Sequence, residues 1–152
     1  ALEYARPALR QARPASEDRT GLRTGRINLY DTRDAMTCAA VERRSRRRPE
    51  AVLARLVLDA IEPRAVRNFW RFNAMLLRGG GRLYLEFEDH GVPSGRRVGT
   101  FANGAARYAV ECAVVRADVE SSGGTVLAAE RAASDRTESD GPETWRLVVG
   151  WP

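Results

Sequence analysis

The apolar positions of this chain change period several times, and each change marks an element. From Ala51 to Ile61 (AVLARLVLDAI) the run is nearly continuous, broken by Arg55, which predicts a strand buried on both faces at the centre of a parallel sheet. From Pro63, a residue suited to a first helical position, Val66, Phe69, Trp70, Ala74 and Leu77 recur at helical spacing, with Asn73 the polar residue on that stripe. RLYLEFE (82–88) returns to strand. Tyr108, Cys112, Val115 and Val119 then predict a helix stopped at Gly123-Gly124. TVLAAERA (125–132) and TWRLVVGW (144–151) are two more strands, and their polar link is too short for a crossover helix, so they pair antiparallel.

Upstream, ALEYARPALRQA (1–12) predicts a helix, RINLY (26–30) a short strand ending at Asp31, and the residues that follow a loop and a helix ending in arginines, which suits the negative pole of a helix dipole. Residues 89–105 predict a Gly/Pro/Arg-rich loop. Helices and strands alternate until the last two strands, so the expected class is α/β, a mostly parallel sheet with helices on both faces and an antiparallel C-terminal strand pair. At 152 residues this is one domain, long enough to bury roughly 68–70% of its unfolded surface.

The triplet Gly79-Gly80-Gly81 invites a phosphate-binding reading, but its polarity is wrong. A dinucleotide loop runs from strand to glycines to helix, so that the ligand meets the positive helix N-terminus. Here a helix precedes and a strand follows, where glycine supplies a left-handed cap and the dipole repels anions.

Charge alters this picture little. The net charge is +5, and all 25 basic residues are arginine, a pattern of a GC-rich genome more than of a selected surface. The run RRSRRR (Arg43, Arg44, Arg46, Arg47 and Arg48) is long enough to meet a phosphate backbone, yet no aromatic residue is interleaved to stack bases, and a solvated helix end is the favoured reading. Cys38, Cys112 and the single His90 make neither a zinc site nor a disulfide framework, so no metal is expected and the thiols suit a reducing, cytoplasmic compartment. No apolar run approaches the roughly 20 residues of a membrane span. Arg55, interrupting an apolar run at the carboxyl end of a parallel strand, must reach a carboxylate such as Asp59 or Asp34, solvent, or a ligand in the crevice where open α/β sheets bind.

AMLLRGGGRLYLEFE (74–88) resembles the approach to and course of the fifth strand in class I SAM-dependent methyltransferases. ALEYARPALRQA is similar to the helix after their second strand, INLYDTRD to the third strand and its acidic end, VLARLVLDAI to the fourth strand and following turn, and the last two strands to their antiparallel tail. The resemblance spans almost the whole chain and implies a Rossmann-like three-layer sandwich that is incomplete at the N-terminus. The G-x-G-x-G loop and the ribose-binding carboxylate of that family are not in the chain, and are expected upstream of Ala1 with the first strand, first helix and second strand.

The activity implied is SN2 methyl transfer from SAM to a small-molecule or macromolecular nucleophile. The alternative is a degenerate, non-catalytic scaffold or an arginine-rich RNA-binding module. The resemblance places Asp31 and Thr32 beside the cofactor adenine, against the plain alternative that Asp31 caps the next helix. Arg55 is the candidate for the cofactor carboxylate. Asp59 stands where many relatives carry histidine, on the substrate side. Glu86 and His90, near the end of the fifth strand, are the candidates for catalysis, and His90 also for substrate contact. Substrate choice falls to residues 89 to 105.

Overall fold

A computed structural model describes residues 25–44, 49–132 and 141–152. The expected opening helix, Arg46 to Arg48 and much of the last polar link lie outside the described residues. The elements are α1 (Thr32–Arg44), β1 (Ala51–Arg55), α2 (Val57–Ala60), α3 (Pro63–Leu77), β2 (Arg82–Asp89), β3 (Arg97–Thr100), β4 (Ala106–Tyr108), α4 (Cys112–Ser121), β5 (Thr125–Arg131) and β6 (Glu143–Gly150). Four strands form one sheet in the order β1-β2-β6-β5, and β3 and β4 form a separate hairpin. β1 and β2 run parallel, while β6 is antiparallel to both β2 and β5.

Alternation in β2 decides which way the sheet faces. Leu83, Leu85 and Phe87 are buried, and the intervening Tyr84 and Glu86 point the other way. The buried set packs with Phe69, Trp70 and Leu77 of α3, Val115 and Val119 of α4, Leu147 and Val149 of β6, and Trp151. Two polar donors carried into this core find local partners, while Asn73 Oδ1 and Trp145 Nε1 have none among the described residues. Trp70 Nε1 donates to Asp118 Oδ2 at 3.0 Å, and the Asn73 amide donates to the Phe69 carbonyl one turn back at 2.9 Å.

The triple glycine is a helix stop. Gly79 and Gly80 have φ of 86° and 119°, the Gly81 N–H returns to the Leu77 carbonyl at 3.0 Å, and a Cβ on Gly81 would lie 2.7 Å from Leu77 Cδ2. The Gly79 N–H meets the Trp151 and Pro152 carbonyls, which ties the last described residues beneath this turn.

Three expectations are corrected. Residues 26–30 form no strand: the Asn28 side chain accepts from the Tyr30 N–H and the Asn28 carbonyl from the Asp31 N–H, a turn, with no neighbouring strand to pair among the described residues. β1 is an edge strand that stops at Arg55, with Ala54 its one buried residue, so the apolar run is neither central nor buried on both faces among the described residues. The loop after β2 contains the β3–β4 hairpin, to which Tyr108 belongs instead of to the helix. Among the described residues helices cover one face of the sheet, while Leu53, Tyr84 and Leu127 stand 77%, 45% and 50% exposed on the other.

Candidate functional site

The carboxyl ends of β1 and β2 lie side by side, and the chain leaves β1 by an unusual turn. Leu56 adopts φ 54°, ψ 25°, a left-handed conformation costly for a bulky residue, and its N–H bonds the Glu86 carbonyl at 2.7 Å. That turn ends the strand early and starts the single turn of α2, which carries Asp59 inward.

Asp59 is fully buried. Its Oδ1 accepts the Glu88 N–H at 3.2 Å and lies 3.7 Å from Arg107 Nη2, while Oδ2 has no hydrogen-bond partner among the described residues. Burial raises its pKa from 3.8 to about 6, and the Glu88 amide and the Arg107 charge offset part of that rise. Arg107 comes from β4, pairs closely with Glu88, and lies 5.3 Å from the Phe101 ring centroid. His90 completes the cluster. Burial and the Arg107 charge hold its pKa below the usual 6.5, and its Nε2 has no partner among the described residues.

Neighbouring side chains fix the frame of the cluster. Asp89 accepts the Gly91 N–H through Oδ1 and the Cys112 N–H through Oδ2, both at 2.9 Å. Ser94 and Glu111 exchange reciprocal 2.8 Å bonds at the base of the hairpin. Beside it lies an apolar cavity of about 170 Å³ whose lining includes Leu58, Ile61, Val66, Tyr108 and Val114.

The remaining candidates fall elsewhere. Arg55 reaches neither Asp59 nor Asp34: its Nε bonds Glu86 Oε1 at 2.6 Å, on an exposed side chain. Glu86 also meets Arg146 at 3.0 Å, and Arg146 and Arg55 together hold its carboxyl below the usual range, so it is an ionised counter-charge at neutral pH. Asp31 Oδ1 accepts the N–H groups of Arg33 and Asp34 at 2.8 and 3.2 Å, so it caps α1. Thr32 Oγ1 bonds Asn68 Oδ1, and Tyr30 Oη accepts the Glu62 N–H, which brings this turn beside the start of α3. Arg43 donates to the Met75 carbonyl at 2.9 Å, a helix-docking contact. Cys38 is half-buried and Cys112 buried, both free. Among the described residues no cluster could hold a metal, and no helix is long and apolar enough to cross a membrane.

Arg107 and Glu88 were not visible as site residues in the sequence. A buried acid and an arginine 48 positions apart meet because of topology, and the one local signal was an arginine before an apolar Tyr-Ala-Val run.

Two parallel strands followed by an antiparallel pair, with helices on one face, define a partial class I SAM-methyltransferase-like fold. Solved structures agree. A SAM-dependent methyltransferase from Mesorhizobium loti matches with a TM-score of 0.65 at 18% identity, over 95% of this chain and 76% of that one. The Burkholderia thailandensis 1,6-didemethyltoxoflavin-N1-methyltransferase, solved with bound 1,6-didemethyltoxoflavin and S-adenosylhomocysteine, matches with a TM-score of 0.53 at 14% identity, over 66% of this chain and 42% of that one. A pericyclic-reaction enzyme matches with 0.58 at 9%, over 97% of this chain and 34% of that one. The chain thus corresponds to well under two thirds of the length of the last two. No family model matches the sequence, and no curated protein matches it.

Proposed function

We propose that this chain is the acceptor-side part of a SAM-dependent methyltransferase, with its substrate subsite at the carboxyl ends of β1 and β2. The observation that carries the reading is Asp59: a fully buried carboxylate with an unpartnered oxygen among the described residues and a pKa of about 6, at the position where open α/β sheets bind ligands. The solved methyltransferases of the same fold support it.

SAM, when bound, supplies a sulfonium methyl group open to in-line displacement. The residues present suit one side of such a cofactor: Asp31 and Thr32 stand on a turn held at the start of α3, with Asp31 for the adenine amine, and Arg55 at the end of β1 is the candidate for the cofactor carboxylate. Asp59 and His90 take the acceptor side. His90, kept neutral at pH 7, and Asp59, a stronger base than an exposed aspartate, are both suited to take the proton that a nitrogen or oxygen acceptor releases. The apolar cavity beside them suits a small organic acceptor better than a nucleic acid.

Calorimetric titration of the polypeptide encoded by the parent gene with S-adenosylhomocysteine tests the reading. Binding that is lost in Asp31→Ser and kept in Asp59→Asn supports this division of roles. An absence of binding overturns it and leaves a methyltransferase-shaped scaffold.

A further inference from the structure

The apolar cavity beside the buried cluster lies where four elements meet. Leu58 comes from α2, Val66 from α3, Val114 and Val115 from α4, and Tyr108 from the end of β4. All of its lining belongs to the helix layer, the hairpin and the turns that join them, away from the sheet face and edge where the upstream elements are expected. Its volume of about 170 Å³ is close to the roughly 150 Å³ that suffices to hold benzene in an engineered apolar cavity. One six-membered ring with a carbon or two attached fills it.

A close approach holds the wall nearest α3 in place. Gly95 has a φ of 85°, a Cβ on it would lie 2.6 Å from Pro63 Cγ, and its N–H bonds the Ala109 carbonyl at 2.9 Å. Together with the Ser94–Glu111 pair, these contacts fix the hairpin base against the first turn of α3. The cavity is therefore formed before a ligand arrives, which spares the cost of ordering it.

Asp118 is the single charged side chain in the lining. Its Oδ2 accepts the Trp70 indole N–H at 3.0 Å, from a neutral donor that leaves the carboxylate its charge. Its Oδ1 has no hydrogen bond or ion pair among the described residues. A carboxylate beside an apolar wall repels an anion, whereas the N–H donors of an ammonium group satisfy Oδ1 while the carbon body of the same molecule fills the cavity. We propose that this cavity takes the apolar body of a small aralkylamine, a ring of benzene size whose protonated nitrogen is held by Asp118. Given Asp59 and His90 on the acceptor side, on which this inference rests, the class of substrate follows. A protonated nitrogen has no lone pair to attack with, so the amine at Asp118 is the anchor and the methylated group is a second heteroatom of the same molecule.

Titration of the polypeptide encoded by the parent gene with benzylamine, benzyl alcohol and benzoate at pH 7, followed by NMR, tests this. Benzylamine is expected to bind with a Kd on the order of 1 mM and to shift the Trp70 indole N–H resonance, identified by its loss in Trp70→Phe. Benzyl alcohol should bind about tenfold more weakly, and benzoate more weakly still. Asp118→Asn keeps an acceptor for Trp70 and is expected to bring benzylamine down to the level of benzyl alcohol while leaving the alcohol unchanged. Val114 is 38% exposed, so Val114→Trp fills the cavity from its rim and should abolish binding of all three, with circular dichroism confirming the fold. Benzoate binding as well as benzylamine, full benzylamine affinity in Asp118→Asn, or no benzylamine binding by the wild type overturns the proposal. S-adenosylhomocysteine binding in the same sample separates the two readings. Cofactor bound without benzylamine overturns the amine site alone, whereas benzylamine bound without cofactor upholds the amine site and overturns the methyltransferase reading.

Discussion

Replacing Asp59 by Asn isolates the cost of holding a carboxylate in the cluster. The folded-state pKa of Asp59 is raised from 3.8 to about 6, so between about pH 4 and pH 6 the native protein holds a proton that the unfolded chain has released. Stability from this group is greatest below about pH 4, falls as pH rises, and is flat above about pH 6. At about 1.4 kcal/mol per unit the change is about 3 kcal/mol, or roughly 6–12 °C in Tm for a chain of this size. His90, with a lowered pKa, works in the opposite direction, gaining stability as pH rises through 6.5. Glu86, held below its usual range, also favours the native state as it ionises. The wild-type profile is therefore blunted, and the difference between wild type and Asp59→Asn is the informative quantity. Urea unfolding of both proteins from pH 4 to pH 7.5 is expected to show Asp59→Asn gaining about 3 kcal/mol on wild type as pH rises. Parallel profiles, with a constant offset, would refute the claim that Asp59 carries a desolvated charge above pH 6.

Gly79→Ala forces a Cβ onto a φ of 86° and is expected to cost about 1–2 kcal/mol in thermal denaturation while leaving the affinity of the parent polypeptide for S-adenosylhomocysteine unchanged. A loss of affinity without loss of stability would revive the ligand reading of the triple glycine. Asp31→Ala removes the α1 cap and is expected to cost about 1 kcal/mol, whereas Asp31→Ser keeps a capping oxygen and should leave Tm nearly unchanged. A serine variant as unstable as the alanine one would show that the cap contributes through its charge. Trp70→Phe leaves the half-buried Asp118 without its indole donor and is expected to cost about 1 kcal/mol, with no change in the pH dependence assigned to Asp59.

Elements whose residues have one wet and one dry side were legible. β2 alternates and was placed; α3 has a continuous apolar stripe starting at a proline and was placed to its glycine stop. The β3–β4 hairpin has no buried residue in either strand, hence no hydrophobic period, and was hidden in a loop. Leu56 was misplaced for a different reason: a leucine in the left-handed region contradicts its own propensity, so nothing local announced that the strand ends at Arg55. The residues of the buried cluster were partly legible: Asp59 and His90 were named from their places after strands, but Arg107 joins them through β4, and Glu88 gave no signal because it shares a strand period with Glu86 while the partners of both are set by distant arginines.

The apolar run around Leu53 shows what sequence pattern and packing each measure. AVLAR was expected to be buried on both faces, yet Leu53 is 77% exposed, whereas Leu85, on the neighbouring strand and the helix-covered face, is 2% exposed. Leu85→Ala removes core volume and is expected to cost about 2–5 kcal/mol. Leu53→Ala gives up little buried area and is expected to change stability by less than about 0.5 kcal/mol when measured by urea unfolding. The contrast does not depend on knowing the ligand or the reaction. Equal costs at the two positions would mean that the face left open among the described residues is covered in the protein, and the pattern of the run, read as a doubly buried strand, would have been right.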